Sequence, residues 1–399
     1  MATHNSSSSG APNPASSAAS STASSTAIPA DYPGLAARYA FRDYPEARAS
    51  FLSMAAGGRL ERFPHPLSPR ADGAEFGVDA AWFGPQDARK ALLMISGTHG
   101  PELFSGSAMQ RLWMQLYAED PRCRDVGVLL VHAMNPYGCA HGSRTTEDNV
   151  DLNRNFISFP APAAHSKVID RVQDALALST GRGPRLTAAH LRLLWLALRH
   201  GRQNVVNAVT AGQHQRADGV GYGGVSPQWS HTTLTDLLNR HLAHAEKVAV
   251  IDWHTGIGEY GEPFFLCFDA PGTPAFERAL NWWGDGVSRS SEGYGDDERP
   301  AYQGLLVTYV QELLHQAGAQ STAAVVEFGT FSNHKMLQAL LRDRWLRSAV
   351  GQGAAEGHRR AQLEAVRHAF GPDDGAWRQS VLRRGHAVLE QTIEGLSRW

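Results

Sequence analysis

Residues 91–102 read Ala91-Leu92-Leu93-Met94-Ile95-Ser96-Gly97-Thr98-His99-Gly100-Pro101-Glu102. An apolar run, a Gly-Thr step, and then a histidine and a carboxylate three residues apart have the form of a buried strand whose exit can hold a divalent metal. The pair alone says little in a chain with 18 histidines. It gains weight because two other apolar runs finish on the same kind of residue. Residues 248–252 run into His254, and residues 323–326 run into Glu327.

Working outward, residues 44–57 carry a helical pattern, 80–83 a short strand, 91–96 a buried strand and 105–118 a helix. Residues 126–132 form another buried strand, ending at the turn Asn135-Pro136-Tyr137-Gly138. Helices are expected over 166–178, 187–200, 232–246 and 274–289, strands over 248–252, 264–268 and 323–327, and helices through most of the C-terminal third. Apolar strands separated by helices indicate an α/β domain with a mixed, mostly parallel central sheet flanked by helices. Ligands of such sheets collect where the strands end.

Residues 1–32 are rich in Ser and Ala, lack a basic start followed by an apolar stretch, and are expected to be a disordered tail preceding a domain over 33–399. The formal net charge of −2 excludes nucleic acid and anionic membrane as expected partners, and no run approaches 18 apolar residues. Cys123, Cys139 and Cys267 form no Cys-x-x-Cys pair, which suggests a reducing, cytoplasmic setting.

The site is expected to centre on one zinc ion. His99, Glu102 and His254 supply two imidazoles and a carboxylate, the three protein ligands that a hydrolytic zinc centre takes while keeping one position open. Histidine ligands are commonly oriented by a carboxylate on the other ring nitrogen, and Asp151 and Asp252 are the candidates. The polar block 149–156, Asn149-Val150-Asp151-Leu152-Asn153-Arg154-Asn155-Phe156, follows Arg144. Its arginines suit a carboxylate or a developing oxyanion. Glu327 ends a buried strand, where an unpaired charge is costly, and a metal-activated water beside it explains the position by making it a general base.

The ordered set His99-x-x-Glu102, Asp151-x-Asn153-Arg154, His254 and Glu327 resembles the zinc carboxypeptidase superfamily, the carboxypeptidase A-like metallopeptidases. The phrases Gly97-Thr98-His99-Gly100, Asp252-Trp253-His254-Thr255-Gly256 and Val326-Glu327-Phe328-Gly329-Thr330 are similar to an uncharacterised branch of it. The resemblance implies a mixed sheet of about eight strands. It implies that His99, Glu102 and His254 bind zinc, Asp151 orients His99 and Arg144 polarises the scissile carbonyl. It also implies that Asn153 and Arg154 hold a substrate carboxylate and Glu327 is the base. A substrate-covering tyrosine is implied as well, with Tyr294, Tyr302 and Tyr309 as candidates and Tyr302 preferred. Residues 157–247 would be a family-specific insertion shaping the pocket.

The expected activity is zinc-dependent cleavage of an amide bond next to a free carboxylate, on a small peptide. An N-acyl amino acid deacylase, similar to the aspartoacylase and desuccinylase branch, is the alternative. A metal-binding protein without turnover is the third reading. Three further features point to ordinary structure. Gly219–Gly224 matches a dinucleotide-binding pattern without a preceding strand and is expected to be a turn lining the site. Arg342-Asp343-Arg344-Trp345 is expected on a solvated helix face, and His241 and His244 on the surface.

Overall fold

The computed structural model describes residues 31–69, 75–161, 165–178, 183–284, 286–287 and 300–399. The Ser/Ala-rich stretch, apart from its last two residues, and Tyr294 lie outside the described residues.

Seven strands build one sheet: β1 (Arg59–Pro64), β2 (Gly77–Phe83), β3 (Lys90–Ser96), β4 (Val126–His132), β5 (Lys247–Tyr260), β6 (Pro263–Leu266) and β7 (Gln320–Gly329). Their order is β1-β2-β4-β3-β5-β7-β6. The four central strands β4, β3, β5 and β7 are parallel, while β1, β2 and β6 pair antiparallel at the two edges. The expected class, a mixed sheet flanked by helices, is what the chain adopts, with seven strands among the described residues.

The central strands read as continuous apolar runs because both faces are covered. Leu92, Met94, Ile251, Trp253 and Val326 pack one way, against Ala108, Met109, Leu112 and Trp113 of helix Leu103–Leu116 and against Trp377, Val381 and Leu382 of helix Gly375–Arg398. Leu93, Ile95, Val250, Ala323 and Val325 pack the other way, against Leu234, Leu237 and Leu238 of helix Trp229–His241 and Leu306, Val307 and Val310 of helix Leu306–Gln316. The strict alternation is the period-two geometry of a strand.

The segment 157–247 crosses from β4 to β5. Its last helix, Trp229–His241, belongs to the main core. Helices Lys167–Ala177, Gly183–His200 and Arg202–Thr210 instead form a satellite core around Val172, Leu176, Leu186, Leu196 and Val205.

Two surface expectations are overturned. His241 is buried, stacks on Trp82 and bonds Glu61 at 2.7 Å, because edge strand β1 covers it; His244 is exposed. Asp343 and Trp345 are also buried. Asp343 accepts the backbone N–H of Arg144 at 3.2 Å and pairs with Arg347, so helix Asn333–Arg347 props the loop that carries Arg144.

Candidate metal centre

The parallel strands deliver their chemistry at one edge. In the register of β3 with β5, Ser96 lies beside Trp253; in that of β5 with β7, His254 lies directly beside Glu327. Partners on neighbouring strands project to the same face, so His254 and Glu327 share one wall of the site. His99 stands three residues beyond β3, and Glu102 closes the single 3-10 turn Gly100–Glu102 that opens helix Leu103–Leu116. The loop after β4 tracks this exit, with Met134 N–H donating to Ser96 O and Asn135 N–H to Gly97 O. The two loops pack so closely that a Cβ at Gly100 would lie 2.1 Å from the Gly138 backbone.

One potential ligand atom each from His99, Glu102 and His254 gather within 4.8 Å, and all three residues are buried. His99 Nδ1 is 3.0 Å from Glu102 Oε1 without hydrogen-bond alignment, and it has no other partner among the described residues. His254 Nδ1 is 2.9 Å from Glu102 Oε2. The outer nitrogens meet carboxylates: His99 Nε2 at 3.0 Å from Asp151 Oδ1, and His254 Nε2 at 2.7 Å from Asp252 Oδ2. An ionised carboxylate only accepts, so each Nε2 carries a hydrogen. Both Nδ1 atoms therefore face the centre beside Glu102, the donor set of a His-Glu-His zinc site, and the residues fit a divalent ion.

The field supports that fit. Burial alone would remove charge from His254, but Asp252 and Glu102 override it and hold the imidazole well above its ordinary value. Burial likewise opposes the Glu102 charge, which His99 and His254 restore, leaving Glu102 far below the ordinary carboxylate range. Asp151 is held low by Arg144 and His99 against the same opposition. The cradle stabilises positive charge between two carboxylate-backed imidazoles, whether a proton or a metal supplies it. Glu327 behaves oppositely: burial is the main cause that lifts its pKa to about 7, aided by Glu102 and resisted by His254, and its Oε2 has no partner among the described residues.

Arg144 is tied into the cradle, Nη1 donating to Glu102 Oε1 at 2.8 Å and Nη2 to Asp151 Oδ2 at 3.4 Å. Its guanidinium lies 5.8 Å from the Phe370 ring. Asn153 Oδ1 accepts from Leu306 N–H at 2.8 Å. Arg154 sends Nε and Nη2 to Thr210 O and Nη1 to Asn153 O, and stacks 5.0 Å over Tyr302. Tyr302 also meets Phe268 edge-on. Tyr309 points away, its hydroxyl 2.8 Å from Thr235 Oγ1 and its ring packed on Phe156 and His231. The Gly219–Gly224 turn supports the Asn-Arg block: Tyr222 O accepts from Asp151 N–H at 2.7 Å and Gly223 O from Asn155 Nδ2 at 2.8 Å. Cys139 is buried with its thiol on Gly97 O at 3.6 Å, and burial pushes its pKa far up, as for an inert thiol. All three cysteines are free.

The sequence reading passes over three site residues. Thr98 Oγ1 donates to Asp252 Oδ1 at 2.9 Å and fixes the carboxylate behind His254. Thr255 N–H donates to Glu102 Oε2 at 3.2 Å. Asp343 holds the Arg144 backbone. Thr98 and Thr255 flank the two histidines in the chain, which is the signal that could have found them; Asp343 offers none.

A family model described as "Protein of unknown function (DUF2817)" matches residues 40–384. Murein peptide amidase A of Escherichia coli, from strain K12 and from O157:H7, is 38% identical over 111 residues, 27% of this chain and 42% of each relative. The matched region thus spans less than half the length of these curated relatives. Among solved structures, the chain is similar to a metallo-carboxypeptidase from Pseudomonas aeruginosa in complex with (2-guanidinoethylmercapto)succinic acid, at 16% identity and TM-score 0.42, covering 90% of this chain and 71% of that one. It is also similar to carboxypeptidase A from Helicoverpa armigera, at 12% identity and TM-score 0.40, covering 82% and 75%.

Proposed function

The chain belongs to the DUF2817 family, and we propose that this member is a zinc-dependent hydrolase that cleaves an amide bond next to a free carboxylate in a small peptide. The observation that carries this reading is the convergence of His99, Glu102 and His254 within 4.8 Å, with Glu327 in register beside His254. The 38% identity to murein peptide amidase A over 111 residues supports amide chemistry.

His99, Glu102 and His254 would hold the ion, with Asp151 and Asp252 fixing the two rings. A zinc ion, when bound, supplies Lewis acidity that acidifies water and steadies oxyanion charge. Glu327 takes the proton from the attacking water and returns it to the leaving nitrogen. Burial raises the Glu327 pKa above the ordinary carboxylate value, while a bound cation would act in the opposite direction and favour the ionised form that accepts the proton. Arg144 sits at the rim of the cradle, where its guanidinium would polarise the scissile carbonyl. Arg154 would read the substrate carboxylate with Asn153 beside it. Three of its N–H donors are spent on Thr210 and Asn153 carbonyls, which aim the planar fork; the other two of the five have no partner among the described residues and would serve a ligand. Through the Thr210 carbonyl the 157–247 segment would take part in shaping the pocket, and Tyr302 under Arg154 would close over substrate.

Zinc-loaded protein assayed against peptides with free and amidated C termini, and against N-acyl amino acids, tests the proposal. Release of a C-terminal residue from the free-acid peptides alone is expected. Glu327→Gln should lower kcat by roughly 100- to 10,000-fold while zinc stays bound. Turnover confined to N-acyl amino acids would assign the deacylase reading. Full activity in Glu327→Gln would remove the base from the mechanism.

A further inference from the structure

Helix Gly183–His200 is apolar on two opposite faces. Leu186, Ala189 and Leu196 are buried, and Leu186 and Leu196 join the satellite core. The other face leaves Leu191, Leu194, Trp195 and Leu198 exposed at 63%, 58%, 55% and 82%. At about 100° per residue these four fall within an arc of roughly 100°, a continuous stripe. Nine large apolar side chains are exposed among the described residues, and four of them lie on this one face. Scattered singly they would need no explanation; gathered in a stripe they mark an interaction surface.

The charge around the stripe is one-sided. No Asp or Glu occurs between Asp174 and Asp218. Arg185, Arg192 and Arg199 recur every seven residues, are all exposed, and so line one edge of the stripe. A leucine stripe with a tryptophan, edged by arginines and free of carboxylates, matches the boundary between lipid headgroups and acyl chains. Anionic headgroups are the complement of the arginine edge. No described helix is long and apolar enough to cross a membrane, so contact would be along the surface. A second copy of this face would set one carboxylate-free, arginine-lined segment against another.

We propose that helix Gly183–His200 docks this protein on the surface of bilayers that contain anionic lipid, with Leu191, Leu194, Trp195 and Leu198 inserted and Arg185, Arg192 and Arg199 on the phosphates. The inference is independent of the hydrolase reading. Co-sedimentation of the full chain with phosphatidylcholine vesicles, and with vesicles carrying about 30% phosphatidylglycerol, tests it. The protein should pellet with the anionic vesicles, remain in solution with phosphatidylcholine alone, and be released by high salt. Leu194→Glu/Leu198→Glu should abolish pelleting. Arg185→Gln/Arg192→Gln/Arg199→Gln should weaken it on the order of 100-fold, and both variants should melt like the wild type because every changed side chain is exposed. Wild type that stays in solution with anionic vesicles at low salt overturns the proposal, as does pelleting that both folded variants retain. A wild-type dimer dissolved by Leu194→Glu/Leu198→Glu would assign the face to a second copy instead.

Discussion

At the residue scale, the centre depends on carboxylates held behind imidazoles. Asp252 is itself fixed by Thr98 and accepts from His254 Nε2. Asp252→Asn should preserve the shape but weaken the ring's orientation and basicity, lowering zinc affinity by about 10- to 100-fold, read by competition with a chromophoric chelator; unchanged affinity would refute that role. A second residue governs acid stability away from the site. His132 is fully buried, and burial, followed by Arg111 and Arg48, drives its pKa down to about 3. The unfolded chain therefore takes up this proton near pH 6.5 and the folded chain only near pH 3. Stability must fall as pH is lowered through that window, at up to about 1.4 kcal/mol per pH unit. His132→Gln should flatten the loss between neutral pH and about pH 4, measured by denaturant titration; parallel slopes in the two proteins would contradict the assignment. The grouping of His99, Glu102 and His254, with Glu327 beside His254 and Asp151 beside His99, was legible in the sequence because each lies at or just after the end of an apolar run or in a dense polar block. Asp343 was not, because its partner Arg144 is 199 residues away and no local pattern signals such a pairing.

At the scale of elements, strands buried on both faces announced themselves. Residues 126–132 match β4, and 91–96 fall one residue short of β3. Edge strand β1 was missed, since Arg59, Glu61 and Arg62 break its apolar pattern and only one of its sides is paired. β5 was read too short, because it continues beyond His254 through Gly256 and Gly258, both with positive φ, into an exposed end. Helix Leu103–Leu116 must lie close to the sheet to present Glu102. A Cβ at Gly106 would sit 2.5 Å from Ser96 Cβ and 2.9 Å from Trp253 Cβ. Gly106→Ala should therefore push the helix outward and cost about 1–3 kcal/mol. Gly357→Ala, in helix Glu356–Phe370 with nothing within 4 Å of the new Cβ, should gain about 0.5–1 kcal/mol. Thermal melts of the two variants check both signs, and a neutral Gly106→Ala would mean that the contact gives way easily.

At the scale of the whole molecule, the α/β class followed from alternating runs, but the strand order β1-β2-β4-β3-β5-β7-β6 did not. It depends on pairings between strands separated by more than a hundred residues, such as β3 with β5, and no single-strand pattern encodes them. A formal total of −2 does not describe how charge is distributed: the stretch between Asp174 and Asp218 contains no carboxylate. The sheet brings His99, Glu102 and His254 together from positions up to 155 apart, so a bound ion ties β3 to β5 and should stabilise the fold as a whole. Zinc held at about 100 times its Kd should add roughly 2.7 kcal/mol. Equilibrium dialysis of metal-stripped wild type and His254→Ala against buffered zinc tests the centre most directly. One tightly bound zinc per wild-type chain and none at the same free concentration in His254→Ala is the expected result; a wild type that binds no zinc, or a variant that binds it equally well, would contradict it.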